Sequence, residues 1–130
     1  MGGEVMTLVD ASGWIEFLRG RDSVSGQRVK ALLARGEAAW CDMTLVELWN
    51  GAQGPKEKKV LEELEEELGI YPVDGQVWAS ARMLARHCRE KGVTVSTPDI
   101  VVAACAAKNK LPLEHCDSHF DKIVPIAAKL

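Results

Sequence analysis

The sequence predicts an α/β domain whose mainly parallel sheet is covered by helices on both faces. Two observations carry this. Short apolar runs alternate with longer amphipathic stretches, the rhythm of buried strands and crossover helices. The chain also has 130 residues, 47% of them hydrophobic, which is enough for one such domain with a real core. No repeat, low-complexity tract or linker divides it, so residues 1–130 read as a single domain.

Each element has its own signal. Residues 1–5 read as a short flexible extension, and Met6 opens a strand ending at Asp10. Trp14, Phe17 and Leu18 have helical spacing within Gly13–Leu18, and Gly20 stops that helix. Ser25–Arg35 is a second helix, with Val29, Leu32 and Leu33 on one face and Gly36 as its stop. Ala38–Cys41 is a short apolar strand. Asp42 or Thr44 then caps a helix through Trp49, and Gln53-Gly54-Pro55 breaks the chain. Over Lys56–Leu68 the apolar stripe is Val60, Leu61, Leu64 and Leu68, with acids and lysines elsewhere. Ile70–Val73 is a brief strand, and Gln76–Lys91 a long helix stopped by Gly92. Thr97 as cap and Pro98 as first helical residue open a nearly all-apolar helix, Asp99–Lys108. Leu113–Cys116 is a strand, Ser118–Lys122 one helical turn, and Ile123–Ile126 a last strand.

Composition excludes several classes. No stretch approaches the ~20 continuous apolar residues that span a membrane. The N-terminus has neither a basic region nor a long apolar run, so no secretory signal is expected. Cys41, Cys88, Cys105 and Cys116 include no C-x-x-C pair and give no zinc signal; three of them read as small buried hydrophobes. A reducing cytoplasm fits this usage. The net charge of −3 predicts no bulk affinity for nucleic acid. Any such contact must come from local groups, Arg19, Arg21, Arg28, Lys30 and Arg35 or Arg82, Arg86, Arg89 and Lys91, which also read as solvated helix faces. The acid run from Glu62 to Glu67 points around its helix and reads as solvated too.

Four other acids stand apart. Asp10, Glu47, Asp99 and Asp117 each lie in an apolar stretch where a strand ends or a helix begins. Every one has a structural alternative. Asp10 and Ser12 fit as caps for the first helix. Thr44-Leu-Val-Glu47 matches a capping box. Asp99 can interact with a helix dipole, and Asp117 can cap the following turn. Dipole contacts contribute only about 0.3–1 kcal/mol, less than the cost of placing an ionised acid beside a core. Brought together along one sheet edge, the four form a negative pocket whose repulsion needs a cation. Hard oxygen ligands suit Mg²⁺ or Mn²⁺, one or two ions, which serve phosphodiester hydrolysis. Asp121 is a weaker fifth candidate. The histidines are not expected as ligands, although His115 and His119 flank Asp117 and one of them can assist at a phosphate.

Four segments in order carry a resemblance: Val9-Asp10-Ala-Ser12, Thr44-Leu-Val-Glu47-Leu, Pro98-Asp99-Ile-Val-Val-Ala-Ala and Cys116-Asp117-Ser-His-Phe120-Asp-Lys-Ile123. From about Met6 to Ile126 the chain resembles PIN-domain ribonucleases, in particular the VapC toxins of prokaryotic toxin–antitoxin modules. The resemblance implies an α/β/α sandwich in which Asp10, Glu47, Asp99 and Asp117 bind Mg²⁺ or Mn²⁺ and support RNA hydrolysis. Ser12 and Thr44 match the family's small polar residue and its Thr before the Glu. The resemblance also implies a homodimer and a VapB-like antitoxin lying over apolar helices, with Trp14, Phe17, Leu18 and Trp49 as groove contributors or simple core. Two positions depart from the pattern: His115 stands where Thr is frequent, and Ala11 where Thr or Ser is frequent. They leave open a catalytically degenerate PIN-like binding protein. A receiver domain is a further rival, though it usually carries paired acids after the first strand.

Overall fold

The computed structural model describes residues 5–130. The extension expected over residues 1–5 lies, apart from Val5, outside the described residues. The elements run β1 (Thr7–Val9), α1 (Ala11–Leu18), α2 (Val24–Ala34), β2 (Ala38–Cys41), α3 (Asp42–Gly51), α4 (Gly54–Glu67), β3 (Ile70–Tyr71), α5 (Gly75–Glu90), α6 (Thr97–Lys108), β4 (Leu113–Glu114) and α7 (His119–Ala127). The sheet order is β3-β2-β1-β4, and every pairing is parallel. Leu8 sits centrally, paired with Ala39 on one side and Leu113 on the other.

Strand alternation divides the apolar side chains between two layers. Leu8 and Cys41 face one way and pack with α5, α6 and α7 through Val77, Leu84, Val102, Phe120 and Ile123. Val9 and Trp40 face the other way and pack with α1 to α4 through Trp14, Val29, Leu48 and Leu61. The expected α/β/α sandwich is therefore the observed one. Trp14 and Trp40 stack at a centroid distance of 4.9 Å and are fully buried, so Trp14 is core and cannot line a docking groove. Cys41, Cys88 and Cys105 are buried as read from sequence, while Cys116 is exposed.

Three local expectations are corrected. The final strand over Ile123–Ile126 is helix, part of α7. Phe120, Ile123 and Ala127 recur at helical spacing and are buried together, a pattern that two-residue alternation cannot satisfy. The Thr44–Glu47 capping box does not form. β2 runs straight into α3 with Cys41 as N-cap, so Thr44 and Glu47 sit too deep in the helix to cap its start. At α6 the cap is Ser96, whose Oγ accepts from the Asp99 N–H at 3.4 Å; Thr97 is already helical.

Glycines permit the tight approach of α1 and α2. A Cβ on Gly26 would lie 2.9 Å from the Arg21 carbonyl oxygen, and one on Gly13 would lie 3.1 Å from Val9 Cγ1. Phe120 anchors α7 beneath the loop that follows β4. Phe120→Ala is expected to lower unfolding free energy in denaturant titrations by about 3–5 kcal/mol. A loss below about 1 kcal/mol would show that the site is not the packed core position described.

Candidate active site

β1 leads outward to β2 and β3, and the chain then crosses back to place β4 on the other side of β1. The carboxyl ends of β1 and β4 thus flank a topological switch point, where open parallel sheets bind ligands. Asp10 follows β1 and Asp117 follows β4. Helices returning from this edge carry the other two acids, Glu47 in α3 and Asp99 in the first turn of α6.

Asp10 does two jobs with two oxygens. Its Oδ2 accepts from the Ser12 N–H at 3.0 Å and from Ser12 Oγ at 2.9 Å, which makes Asp10 the cap of α1. Its Oδ1 is buried and has no hydrogen-bond partner among the described residues. Ser12 is not the cap that its sequence position suggested. Its Oγ also accepts from the Cys116 N–H at 2.9 Å, tying the β1 end to the loop bearing Asp117. Glu47, freed from any capping duty, likewise has a buried, unpartnered Oε1.

Asp99 is 8% exposed and Asp10 3%, low values for aspartates without a Lys or Arg beside them. Asp117 Oδ1 accepts from the His119 N–H at 2.9 Å, so it also caps its turn. The His119 ring enters the same cluster: Nδ1 is 3.3 Å from Asp117 Oδ1 and 3.8 Å from Asp99 Oδ2. One donor atom from each of Asp99, Asp117 and His119 lies within 4.8 Å of the others. Among the described residues, no Lys or Arg comes within 4.0 Å of any of the four carboxylates.

The electrostatics follow from this geometry. Burial raises the Asp10 carboxyl above its ordinary range; hydrogen bonds from Ser12 offset part of that, and the Asp117 charge adds to it. Burial, then the charges of Asp10 and Asp117, likewise raise Asp99. Glu47 moves furthest: burial, followed by Asp10 and Asp99, pushes it up to about 7. The charges of Asp10 and Asp99 thus bear on Glu47, and that of Asp117 on Asp10 and Asp99, while the tight group of donor atoms is Asp99, Asp117 and His119.

The remaining candidates lie differently. Thr44 is buried and pairs with Cys41 Sγ at 3.5 Å beneath α3. His115 turns away from the acids: its Nδ1 accepts from the Asp117 N–H at 3.4 Å, and its ring stacks on Phe120 at 5.0 Å. Asp121 is exposed, 3.8 Å from His115 Nε2. One participant is not expected from the sequence as a ligand, His119; its place two residues after Asp117 in a tight turn is the available signal. Glu114 accepts from Ser25 Oγ at 3.0 Å and faces α2, away from the candidate set. An apolar cavity of about 780 Å³ between α5, α6 and α7 contains none of the acids.

A pH dependence follows. Between the ordinary value of 4.5 and about 7, folded Glu47 keeps a proton that the unfolded chain has released. Its contribution to stability therefore falls as pH rises through that window. The melting temperature of metal-free wild type minus that of Glu47→Gln is expected to decline from pH about 4.5 to about 7. A constant difference would contradict the raised Glu47.

The PIN domain family model matches residues 7–124. Over 125 residues the chain is 32% identical to Ribonuclease VapC11 of Mycobacterium tuberculosis, with 93% of each chain covered. VapBC-5 of Mycobacterium tuberculosis, a solved member of the VapBC family of toxin–antitoxin systems, superposes with a TM-score of 0.68 at 25% identity, covering 92% of this chain and 90% of that one. VapBC2 of Rickettsia felis, solved bound to a DNA fragment from its promoter, superposes at 0.78 with 15% identity over 94% of this chain and 95% of that one, a likeness of fold. The sandwich, its strand order and the match over nearly the whole length agree: this chain belongs to the PIN-domain family.

Proposed function

We propose that this chain is a metal-dependent endoribonuclease that acts as the toxin of a two-component toxin–antitoxin module. The observation that carries the reading is the convergence of Asp10, Glu47, Asp99 and Asp117 at one sheet edge, with two buried oxygens left without partners. The likeness to Ribonuclease VapC11 supports RNA as substrate, and the likeness to VapBC-5 supports a VapB-like antitoxin. A homodimer and a cytoplasmic setting complete the proposal.

The residues fit a divalent ion. The carboxylates offer hard oxygen donors, and the orphaned Asp10 Oδ1 and Glu47 Oε1 are unsatisfied without a cation. Asp10, Asp99 and Asp117 would hold one or two Mg²⁺ or Mn²⁺ ions, with Glu47 completing the site or orienting a water. When bound, such an ion supplies an activated water and stabilises charge on the leaving oxygen of a phosphodiester. Ser12 fixes Asp10 by occupying Oδ2, which leaves Oδ1 free for ligation. Glu47, poised near 7, can accept a proton at its free Oε1 close to neutral pH. The presence of all four carboxylates supports this reading over a degenerate binder. The antitoxin would place a basic side chain in the pocket, neutralising the same charge.

Total cellular RNA incubated with antitoxin-free protein and Mg²⁺ or Mn²⁺ is expected to give discrete products. Chelator should abolish them, and Asp10→Asn should reduce the rate by about a hundredfold or more. Undiminished metal-dependent cleavage by folded Asp10→Asn would overturn the assignment. Ser12→Ala is expected to weaken Mg²⁺ affinity by about tenfold in calorimetric titration, because a ligand loses its orienting partner. Unchanged affinity would remove Ser12 from the site.

A further inference from the structure

We infer that His119 is a nitrogen ligand of the bound ion, which makes this a mixed carboxylate–imidazole centre that favours Mn²⁺ over Mg²⁺. The inference rests on the carboxylate site proposed above and adds to it a residue that oxygen-only chemistry does not require.

The geometry is specific. Donors at right angles on an ion with bonds of about 2.1 Å lie about 3.0 Å apart, and opposed donors about 4.2 Å apart. His119 Nδ1 lies 3.3 Å from Asp117 Oδ1 and 3.8 Å from Asp99 Oδ2, between those limits. Two of the three donor pairs thus already fit one ion, and all three donors lie within 4.8 Å of one another. The turn enforces this arrangement. The His119 N–H binds Asp117 Oδ1 at 2.9 Å, and Phe120, the next residue, is fully buried and fixes the start of α7. The backbone thereby holds His119 beside Asp117 whatever its ring contacts. A second observation bears on the site: Asp10, 3% exposed, follows β1 beside β4 and keeps a buried, unpartnered Oδ1, while Ser12 ties its other oxygen to the loop that bears Asp117.

The other histidine near the cluster is committed elsewhere. His115 accepts from the Asp117 N–H through Nδ1 and stacks on Phe120, with Nε2 toward the exposed Asp121. His119 is half-exposed, and among the described residues its ring contacts only the acids of the cluster, Asp117 and Asp99, so the same nitrogen that pairs with them faces the ion site. Imidazole nitrogen binds Mn²⁺ more favourably than Mg²⁺, which prefers oxygen and keeps its water. A nitrogen ligand in a carboxylate pocket therefore shifts selection between the two ions.

The test needs no turnover. Mn²⁺ alone is added to the full chain, its binding is measured by calorimetry, and the bound ion is examined by pulsed electron paramagnetic resonance. Wild type is expected to show modulation from a directly coordinated ¹⁴N. His119→Asn is expected to lose that modulation and to bind Mn²⁺ about tenfold more weakly. Its Mg²⁺ affinity should change by less than about threefold. Bound Mn²⁺ without nitrogen coupling in wild type, or coupling that survives in His119→Asn, would overturn the inference while leaving the carboxylate site intact. Absence of saturable Mn²⁺ binding, or equal binding by Asp10→Asn, would overturn the carboxylate site and the inference together.

Discussion

The repulsion among four partly desolvated carboxylates at one sheet edge is the constraint on which the rest of the site depends. An ionised acid taken from water costs several kcal/mol unless compensated. Here helix starts and three hydroxyl or amide contacts compensate part of the cost at Asp10, Asp99 and Asp117, and nothing comparable does so at Glu47. Asp10 uses one oxygen for Ser12 and leaves the other bare. Glu47 has a buried bare oxygen and is raised to about 7. No guanidinium or ammonium among the described residues closes the gap. The cluster persists because the two apolar layers are extensive and continuous on both sides of the sheet. Such concentration of local cost is what a binding centre shows when stability is supplied elsewhere.

Three of the four candidate acids also have a structural duty. Asp10 caps α1, and Asp117 caps the turn into α7. Asp99 lies in the first turn of α6, where the dipole favours negative charge. Each carboxylate is thereby fixed by the element it starts, while lone pairs remain for the pocket. Ser12 links β1 to the Asp117 loop through the Cys116 amide, so the two halves of the site hold a common register. Capping and the proposed ligation, rivals when read one residue at a time, are compatible in this fold because each cap uses only part of its carboxylate.

The sandwich and the places of its four strands were legible, and the four candidate acids stood out, because each rests on a short-range rule. Apolar runs mark strands, glycine and proline mark stops, and an acid among apolar neighbours is conspicuous. What escaped depends on register. Glu47 reads as half of a capping box until β2 is seen to run into α3 with no linker, which moves the helix start to Cys41. The C-terminal Ile123–Ile126 reads as strand in a four-residue window. Only its joint burial with Phe120 and Ala127 exposes the helical period. His119 was hidden for a different reason. Its partner Asp99 is distant in sequence, and only the crossover topology brings the two together.

The most direct test of the central claim is a crystal of the protein soaked in Mn²⁺, with the anomalous signal of the metal used to locate it. An anomalous peak in contact with Asp10 Oδ1, Asp99 and Asp117 is the predicted result. A peak elsewhere, or an empty pocket at saturating Mn²⁺ with the four acids still converged, would contradict the claim that their unbalanced charge is there to hold a cation.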